Sequence, residues 1–219
     1  MSSSRPTAVL FDLDGTLVDT IALLLASMRH AFDTCGTARV PTDAEWIAGI
    51  GTPLVAQLRA FAATDAEVDR LVAAYRSYQR VHHDAMTRAY EGIVPLVERL
   101  RAGGHPLGIV TSKANDIAER TLAHVGLLAP MDVVIGADSV ARHKPDPEPV
   151  RVALERLGVA PADAVFVGDS PHDVASGNAA GVRTIGVLWG PFSRETLAAV
   201  RPTRIVETVA ELEAVLAAG

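Results

Sequence analysis

Two spacings of apolar residues divide this chain into two kinds of structure. From residue 18 to about residue 90 the apolar residues recur three and four positions apart, which predicts helices. These positions are Ile21, Leu24, Leu25, Met28, Phe32, Leu54, Leu58, Phe61, Val68, Leu71, Val72, Tyr75 and Tyr78. Thr64 and Glu67 are spaced as a capping box that begins the last long helix of this segment. We therefore predict a helical segment that contains no strand.

The rest of the chain alternates short apolar runs with helical patterns, which is typical of a doubly wound α/β sheet. The predicted strands cover residues 8–11, 107–110, 132–137, 164–168, 184–188 and 204–206. The predicted helices include residues 94–102, 150–157 and 209–217. We expect residues 1–17 and 91–219 to build a doubly wound parallel sheet, with residues 18–90 inserted as an all-helical cap domain.

Two carboxylates and a glycine follow the first strand. Residues 8–11 contain no alternating polar residue, which is typical of a buried parallel strand that ends at Asp12. Asp14 and Gly15 come next, and glycine permits a tight backbone turn there. Carboxylates two residues apart at a strand end can share a cation such as Mg²⁺ while one of them attacks an electrophile. The alternative is a strand capped by an ordinary Asx-turn.

A second apolar strand, residues 164–168, also ends in carboxylates, which are Asp169 and Asp173. If the two strands are neighbours, these side chains meet Asp12 and Asp14 at the carboxyl edge of the sheet, where ligands bind in open α/β folds. Three or four carboxylates at one point repel one another strongly unless a cation lies between them. The sequence therefore predicts a Mg²⁺ site with these four aspartates as candidate ligands.

Only two of the 20 basic residues are lysines, and both follow predicted strands. Thr111, Ser112 and Lys113 place a hydroxyl and backbone amides at the start of a helix, which makes an anion cradle. The alternative is an ordinary helix N-cap formed by Asn115 or Ser112. Lys144 precedes three prolines that restrict the backbone, so its ammonium group is held in one place for a phosphate or a carboxylate. The alternative is a surface lysine in a proline-rich turn.

A glycine-bearing loop, made of Gly49, Ile50, Gly51 and Thr52, separates two helices of the predicted cap. Such a loop can approach a ligand closely, which makes it a candidate for substrate contact. A plain helix-to-helix turn is an alternative that the sequence leaves open.

His82, His83 and Asp84 carry side chains that bind metals in other proteins. Adjacent residues on a helix point about 100° apart, so these three cannot all face one ion. We interpret them as a solvated helix end rather than a metal site.

Composition narrows the partners and the location. A chain of 219 residues with 49% apolar residues can bury a substantial core. Its net charge of −6 and its lack of a basic cluster exclude a nucleic-acid footprint. The first residues have no signal-peptide pattern and the longest aliphatic run is too short for a membrane span, so we expect a cytoplasmic protein that binds no membrane. Cys35 is the only cysteine, which rules out an intrachain disulfide, and we give it no catalytic role.

Four of these segments resemble the motifs of the haloacid dehalogenase superfamily. The sequence Asp-Leu-Asp-Gly-Thr-Leu-Val-Asp-Thr, from residue 12, resembles motif one, and Thr111-Ser-Lys resembles motif two. The segment around Lys144 resembles motif three, and Gly168-Asp-Ser-Pro-His-Asp resembles motif four. The resemblance implies a Rossmann-like core, a mobile helical cap after motif one, and a Mg²⁺ cofactor.

The resemblance also implies roles for the candidate residues. Asp12 is expected to attack phosphorus and form an aspartyl-phosphate, while Asp14 protonates the leaving oxygen and later activates water. Thr111 and Lys144 are expected to bind the non-transferring oxygens. The remaining implied roles are substrate binding by Gly15, Gly49, Ile50, Gly51, Thr52, Ser112 and Lys113, and Mg²⁺ binding by Asp12, Asp169 and the main-chain carbonyl of Asp14. Asp173 is expected either to bind the ion directly or to support a group that does.

Within the superfamily the sequence is most similar to phosphoglycolate phosphatases and related small-molecule phosphatases. The acid at Asp14 argues against a dehalogenase, and the absence of lysine between residues 18 and 90 excludes a phosphonate hydrolase that uses a cap lysine. The alternatives are a phosphatase for a sugar phosphate, pyrophosphate or a phosphorylated specialised metabolite, a β-phosphoglucomutase-like mutase, and a non-catalytic interaction protein. We expect a small phosphorylated substrate and a monomer or homodimer.

Overall fold

The computed structural model describes residues 7–37 and 39–218. The strands in these ranges are β1 (Ala8–Phe11), β2 (Val18–Asp19), β3 (Arg88–Ala89), β4 (Leu107–Val110), β5 (Val133–Ile135), β6 (Ala164–Gly168), β7 (Arg183–Val187) and β8 (Arg204–Val206). The α-helices are α1 (Ile21–Cys35), α2 (Asp43–Ala48), α3 (Leu54–Arg59), α4 (Asp65–His82), α5 (Ile93–Ala102), α6 (Asn115–His124), α7 (Glu148–Leu157), α8 (Pro171–Ala180), α9 (Arg194–Ala199) and α10 (Val209–Ala217). Short 3₁₀ turns cover Asp84–Met86, Ala137–Ser139 and Pro161–Asp163.

Six of the strands form one parallel sheet in the order β5-β4-β1-β6-β7-β8. Strands β4 and β5 extend the sheet on one side of β1, and β6 to β8 extend it on the other. The direction of winding therefore reverses between β1 and β6, where Phe11 is paired with Val167. A crevice at such a reversal is the usual ligand site of an open α/β sheet. The predicted α/β fold is confirmed.

The sheet is buried on both faces, which explains why its strands are continuously apolar. Successive side chains of β1 alternate between two cores. Val9 and Phe11 pack into one core with α5, α6 and α10, while Ala8 and Leu10 pack into the other with α7. All four residues of β1 are buried. This double burial fixes the central strand whose carboxyl end carries Asp12.

The segment between β2 and β3 folds into four helices with an apolar core of its own. Trp46 packs against Phe32, Phe61 and Tyr75, with ring centroids 5.9–6.4 Å apart. This core is closed by the same face of α1 and α4 that the three-and-four spacing predicts. We call residues 21–82 the cap.

The prediction that this segment contains no strand is wrong at its two ends. Val18 pairs with Ala89 and Asp19 pairs with Arg88, which joins β2 and β3 in a short antiparallel ribbon. Two residues per strand are too few to produce a recognisable alternation of apolar and polar positions. The ribbon brings the entry and the exit of the cap together.

Two predictions at helix ends need correction. Thr64 accepts a hydrogen bond from the backbone N–H of Glu67, but the Glu67 carboxylate accepts from the N–H of Ala63 rather than from Thr64, so the predicted capping box is only half formed.

His83 is not solvated, because it is 3% exposed and lies between Asp84 and Thr121 of α6. Burial lowers the pKa of His83, which favours its neutral form.

Helix α9 was not predicted, because its six residues are too few to show a helical period.

Across residues 7–37 and 39–218, no helix has both the length and the apolar character that a membrane crossing requires.

Candidate active site

Three charged side chains meet where β1 and β6 end. The ammonium of Lys144 donates hydrogen bonds to Asp12 Oδ1 at 2.9 Å and to Asp173 Oδ1 at 2.6 Å. Its third donor reaches the carbonyl oxygen of Val110, at the end of β4, at 3.3 Å. All three N–H donors of the lysine are therefore used, and it is fixed between Asp12, which follows β1, and Asp173, which lies in the first turn of α8.

Asp169 completes this cluster from the end of β6. One oxygen, Oδ1, accepts a hydrogen bond from Thr16 Oγ1 at 2.8 Å. The other, Oδ2, is buried and has no hydrogen-bond partner among the described residues. A buried carboxylate oxygen without a partner is costly, so this atom needs a ligand that the protein itself does not supply.

Glycines make room for this carboxylate. A side-chain carbon at Gly15 would lie 2.5 Å from Asp169 Oδ2, and one at Gly190 would lie 2.4 Å from Asp169 Cβ. Gly15 also has a φ of +84°, which disfavours any other residue there. The backbone of motif one therefore approaches Asp169 as closely as a chain can.

The electrostatics of the cluster are dominated by burial. Burial, followed by repulsion from Asp173, raises the pKa of Asp12 to about 7, although Lys144 acts in the opposite direction. Burial, Asp173 and Asp12 raise the pKa of Asp169 well above its ordinary value. Burial lowers the pKa of Lys144, but Asp12 and Asp173 outweigh it, and the pKa lies above that of a free lysine. The lysine therefore remains charged.

The cluster fits a divalent cation. Ligand atoms of Asp12, Asp169 and Asp173 lie within 4.8 Å of one another, and all three residues are buried. Three carboxylates against the one ammonium of Lys144 leave an uncompensated negative charge away from water, which a cation would remove. The donors are hard oxygen atoms, which suit Mg²⁺ better than a soft metal. A buried acidic group that could hold a metal ion is therefore present.

Asp173 has a second function as the partner in a helix cap. Its Oδ2 accepts hydrogen bonds from the N–H of Ser170 at 3.0 Å and from Ser170 Oγ at 2.6 Å. The Ser170 hydroxyl in turn accepts from the N–H of Asp173, which forms a reciprocal capping box at the start of α8. One oxygen of Asp173 therefore fixes the helix, while the other faces Lys144.

Asp14 has different partners from Asp12, although the two are neighbours in sequence. Its carboxylate accepts from Lys113 Nζ at 2.7 Å and from the hydroxyl of Thr20. Thr20 occupies the N-cap position of α1, yet its hydroxyl bonds Asp14 instead of the helix backbone. The predicted anion-binding lysine thus touches the predicted acid.

The cap loop Gly49–Thr52 closes over this edge of the sheet. The hydroxyl of Ser112 donates to the carbonyl oxygen of Gly51. Gly51 has a φ of +98°, and a side-chain carbon there would lie 2.9 Å from Ser170 Oγ. The structure therefore places this loop against motifs two and four, so it is more than a connection between α2 and α3.

Between the loop and the aspartates is a cavity of about 180 Å³. The sheet side of its wall is formed by Asp12, Asp14, Thr111, Ser112, Lys113, Ala114, Ile117 and Ala137. The cap side is formed by Leu24, Trp46, Ile50, Gly51, Thr52, Pro53, Leu54, Val55, Gln57, Tyr75, Arg76 and Gln79. The predicted nucleophile, the predicted acid and the predicted specificity loop therefore line one space.

Sequence reasoning missed several residues around this cavity. Thr16 and Thr20 lie inside motif one, and hydroxyls beside two aspartates were an available indication of supporting hydrogen bonds. Arg76 and Gln79 share a face of α4. That face can be recognised as a cavity wall only when the part of the sheet that it covers is known. Asn115 was considered as a helix cap, but α6 already includes it and its side chain accepts from the N–H of Gly136 at 2.6 Å instead.

Comparison with known proteins decides the family. Residues 9–187 match the family described as haloacid dehalogenase-like hydrolase. The chain belongs to this family. It is 39% identical over 213 residues to pyrophosphatase PpaX of Bacillus velezensis, with 97% of each chain covered. It is 36% identical to pyrophosphatase PpaX of Bacillus pumilus, and all of both chains is covered.

Solved structures of this family have the same architecture. A protein from Clostridium acetobutylicum, described as a predicted phosphatase, superposes with a TM-score of 0.86 at 27% identity and covers 99% of this chain and 100% of its own. A haloacid dehalogenase-like hydrolase from Streptococcus pneumoniae superposes with a TM-score of 0.82 at 26% identity, covering 96% and 98%. The resemblance drawn from the four motifs is confirmed, and the chain is an enzyme of the haloacid dehalogenase-like hydrolase family.

Proposed function

We propose that this protein is a Mg²⁺-dependent phosphatase that acts through an aspartyl-phosphate on Asp12. The observation that carries the proposal is the cluster of Asp12, Asp169 and Asp173 around Lys144, at the reversal point of the sheet and beneath the cavity. Fold membership alone does not determine chemistry, so the proposal depends on these side chains.

The roles of the residues follow from their positions. Asp12 Oδ1 attacks phosphorus, the bond from phosphorus to the leaving oxygen breaks, and a proton from Asp14 goes to that oxygen. Asp14 then takes a proton from the water that hydrolyses the aspartyl-phosphate. Thr111 holds one non-transferring oxygen, and Lys144 holds another by exchanging one of its three present acceptors for it. When bound by Asp12, Asp169 and Asp173, with the carbonyl oxygen of Asp14, Mg²⁺ would neutralise phosphoryl charge.

Pyrophosphate is the first substrate to test. The two relatives that cover the chain almost completely are named pyrophosphatases. In that reaction the leaving group is itself a phosphate, so both ends of the substrate are anionic and both need cations nearby. Lys144 is bonded to Asp12, which lines the cavity, and the basic side chains of Lys113 and Arg76 line it as well.

A phosphate monoester such as 2-phosphoglycolate is the second candidate. The observation that favours it is the apolar character of the cap wall, where Leu24, Trp46 and Val55 would face the carbon part of an organic leaving group. It also agrees with the motif resemblance to phosphoglycolate phosphatases. Both candidates carry a second anionic group.

A substrate panel tests the proposal. Purified protein, stripped of metal and resupplied with Mg²⁺, should release phosphate from pyrophosphate or 2-phosphoglycolate, and excess EDTA should abolish the release. Full turnover in EDTA, or no turnover on any phosphate compound with Mg²⁺, contradicts it.

Two further measurements test the other predictions. Size-exclusion chromatography with light scattering on the same preparation would test the predicted monomer or homodimer. Cell fractionation would test the predicted cytoplasmic location.

A further inference from the structure

Arg76 differs from the other charged residues that line the cavity. The cavity wall contains two basic side chains, Lys113 and Arg76. Lys113 is already paired with Asp14 at 2.7 Å. The side chain of Arg76 is exposed, and within residues 7–37 and 39–218 it makes neither a hydrogen bond nor an ion pair. The cap therefore presents one uncommitted cation to the space above the catalytic aspartates.

All six arginines of the cap are exposed, and three of them, Arg70, Arg76 and Arg80, make no side-chain hydrogen bond or ion pair within the described residues. Among the six, only Arg76 lines the cavity. Arg29, Arg39 and Arg59 each form an ion pair with a carboxylate of the cap, and these pairs are at the surface. Arg76 has no carboxylate beside it, although acidic residues outnumber basic ones in the chain. A guanidinium without an internal partner is available to a ligand that carries negative charge.

The helix supplies a second polar group beside this cation. Arg76 and Gln79 are three residues apart on α4, a spacing that places side chains next to each other on one helix face. Both line the cavity, and the Gln79 side chain makes no hydrogen bond to any residue in the described ranges. By contrast, the amide of Gln57 in the same wall is committed to the carbonyl oxygen of Trp46. Arg76 and Gln79 together offer several N–H donors on one face.

We propose that Arg76, assisted by Gln79, binds an anionic group on the leaving side of the substrate and so selects substrates that are charged at both ends. The anionic group can be a phosphate or a carboxylate, because a guanidinium binds the oxygens of either group with two parallel hydrogen bonds. Arg76 is exposed and lines the same cavity as Trp46 and Tyr75, so its guanidinium can meet a ligand that enters from solvent. This inference deepens the proposed phosphatase function and rests on it.

Kinetics of Arg76→Met test the inference, since methionine keeps an apolar stem but removes the charge. The ratio of kcat/KM for pyrophosphate to kcat/KM for p-nitrophenyl phosphate, which has no second anionic group, should fall roughly 10- to 100-fold, mostly through KM. 2-Phosphoglycolate in place of pyrophosphate distinguishes a carboxylate ligand from a phosphate. Arg76→Lys should restore part of the ratio. Arg70→Met, an exposed arginine of the same helix outside the cavity wall, is the matched control and should leave the ratio unchanged.

Binding to a variant without the nucleophile separates this inference from the proposed function. Calorimetry with Mg²⁺ and pyrophosphate, or with Mg²⁺ and 2-phosphoglycolate, should show weaker binding to Asp12→Asn/Arg76→Met than to Asp12→Asn alone. If the wild type fails to turn over any substrate but this difference persists, the phosphatase proposal fails and the anion subsite stands. Equal binding by the two variants, no binding by either, or equal kinetic losses on every substrate overturns the role of Arg76.

Discussion

The two walls of the cavity are built on opposite principles. On the sheet side the wall includes Asp12, and Asp12, Asp169, Asp173 and Lys144 are all less than 5% exposed. Lys144 bonds both Asp12 and Asp173. On the cap side the wall is mainly apolar, and Arg76 makes no bond to the described parts of the chain. The first wall is fixed before any ligand arrives, whereas the second has groups left for a ligand to use.

We expect this difference to separate the residues that perform the chemistry from those that select the substrate. Groups that act on a transition state gain from being held in place, because they then need no rearrangement when charge develops. Groups that choose a substrate gain from exposing one or two donors among apolar surfaces, where an unmatched ligand leaves them unpaired. We therefore expect changes on the sheet side to affect all substrates, and changes on the cap side to alter their ranking.

Asp12→Asn should have the largest effect. An amide cannot form an acyl-phosphate, so kcat should fall about 10⁴-fold or more on every substrate. Rapid-quench trapping with radiolabelled substrate should show a phosphoenzyme in the wild type and none in the variant. Asp69→Asn, an exposed aspartate on α4, is the matched control and should retain wild-type kinetics. Label on a serine or histidine in the wild type would mean that Asp12 is not the nucleophile.

Asp14→Asn should lose less activity than Asp12→Asn, and the size of the loss should depend on the leaving group. Without the acid and base, turnover should fall about 10²- to 10⁴-fold on an ester whose leaving oxygen needs a proton. With p-nitrophenyl phosphate the first step is spared, so an aspartyl-phosphate on Asp12 should accumulate. Borohydride reduction and peptide mass analysis would locate it. An equal loss in both steps for both kinds of leaving group would argue against an acid–base role.

Ile50→Val should change the ranking of substrates by roughly 10-fold, with a smaller change in kcat on p-nitrophenyl phosphate. Ile50 is 6% exposed and lines the cavity from the cap loop, away from the aspartate cluster, so we expect the lost methyl group to act mainly through contact with the leaving group. Val40→Ala, an exposed apolar residue of the cap outside the cavity wall, serves as its control. A uniform loss on all substrates would place Ile50 in the general architecture of the site.

The smallest predicted effect is a dependence of stability on pH and metal. In the metal-free protein the pKa of Asp12 is about 7, against an ordinary value of 3.8. The folded state therefore binds this proton more tightly than the unfolded state, and stability should fall as the pH rises from about 4 through about 7. Added Mg²⁺ should raise Tm by a few degrees at about pH 8 and less at about pH 5. The same shift at both values would show that the cation does not bind at these carboxylates.

The sequence predicted the sheet side of the site better than the cap side for a physical reason. A buried parallel strand is continuously apolar, so the carboxylate that ends it is conspicuous, as at Asp12 and Asp169. The carboxyl ends of neighbouring parallel strands lie at the same edge of the sheet, so the two carboxylates can be expected to lie close together from the strand assignment alone. Lys113 and Asp14, by contrast, are 99 residues apart, and their ion pair follows from no local pattern.

On the cap side, the helices could be predicted but their contribution to the cavity could not. The spacing of Leu71 and Tyr75 identifies the buried face of α4, but Arg76 and Gln79 lie beside that face and look like ordinary solvated positions. Their role depends on which part of the sheet the cap covers. His83 was misinterpreted for the same reason. It is hydrogen-bonded to the hydroxyl of Thr121, which belongs to α6 and lies far from His83 in the sequence.

The paired strands β2 and β3 make the cap an exchangeable unit. The chain leaves the sheet domain at Val18 and returns at Ala89, which are partners in one ribbon. The six-stranded sheet takes no strand from between them. The cost of closing a loop grows only slowly with its length, so an insertion at such a point can be replaced or enlarged with little effect on the sheet. Exchange of this one segment would replace the cap wall of the cavity and leave the aspartate cluster at the sheet edge unchanged.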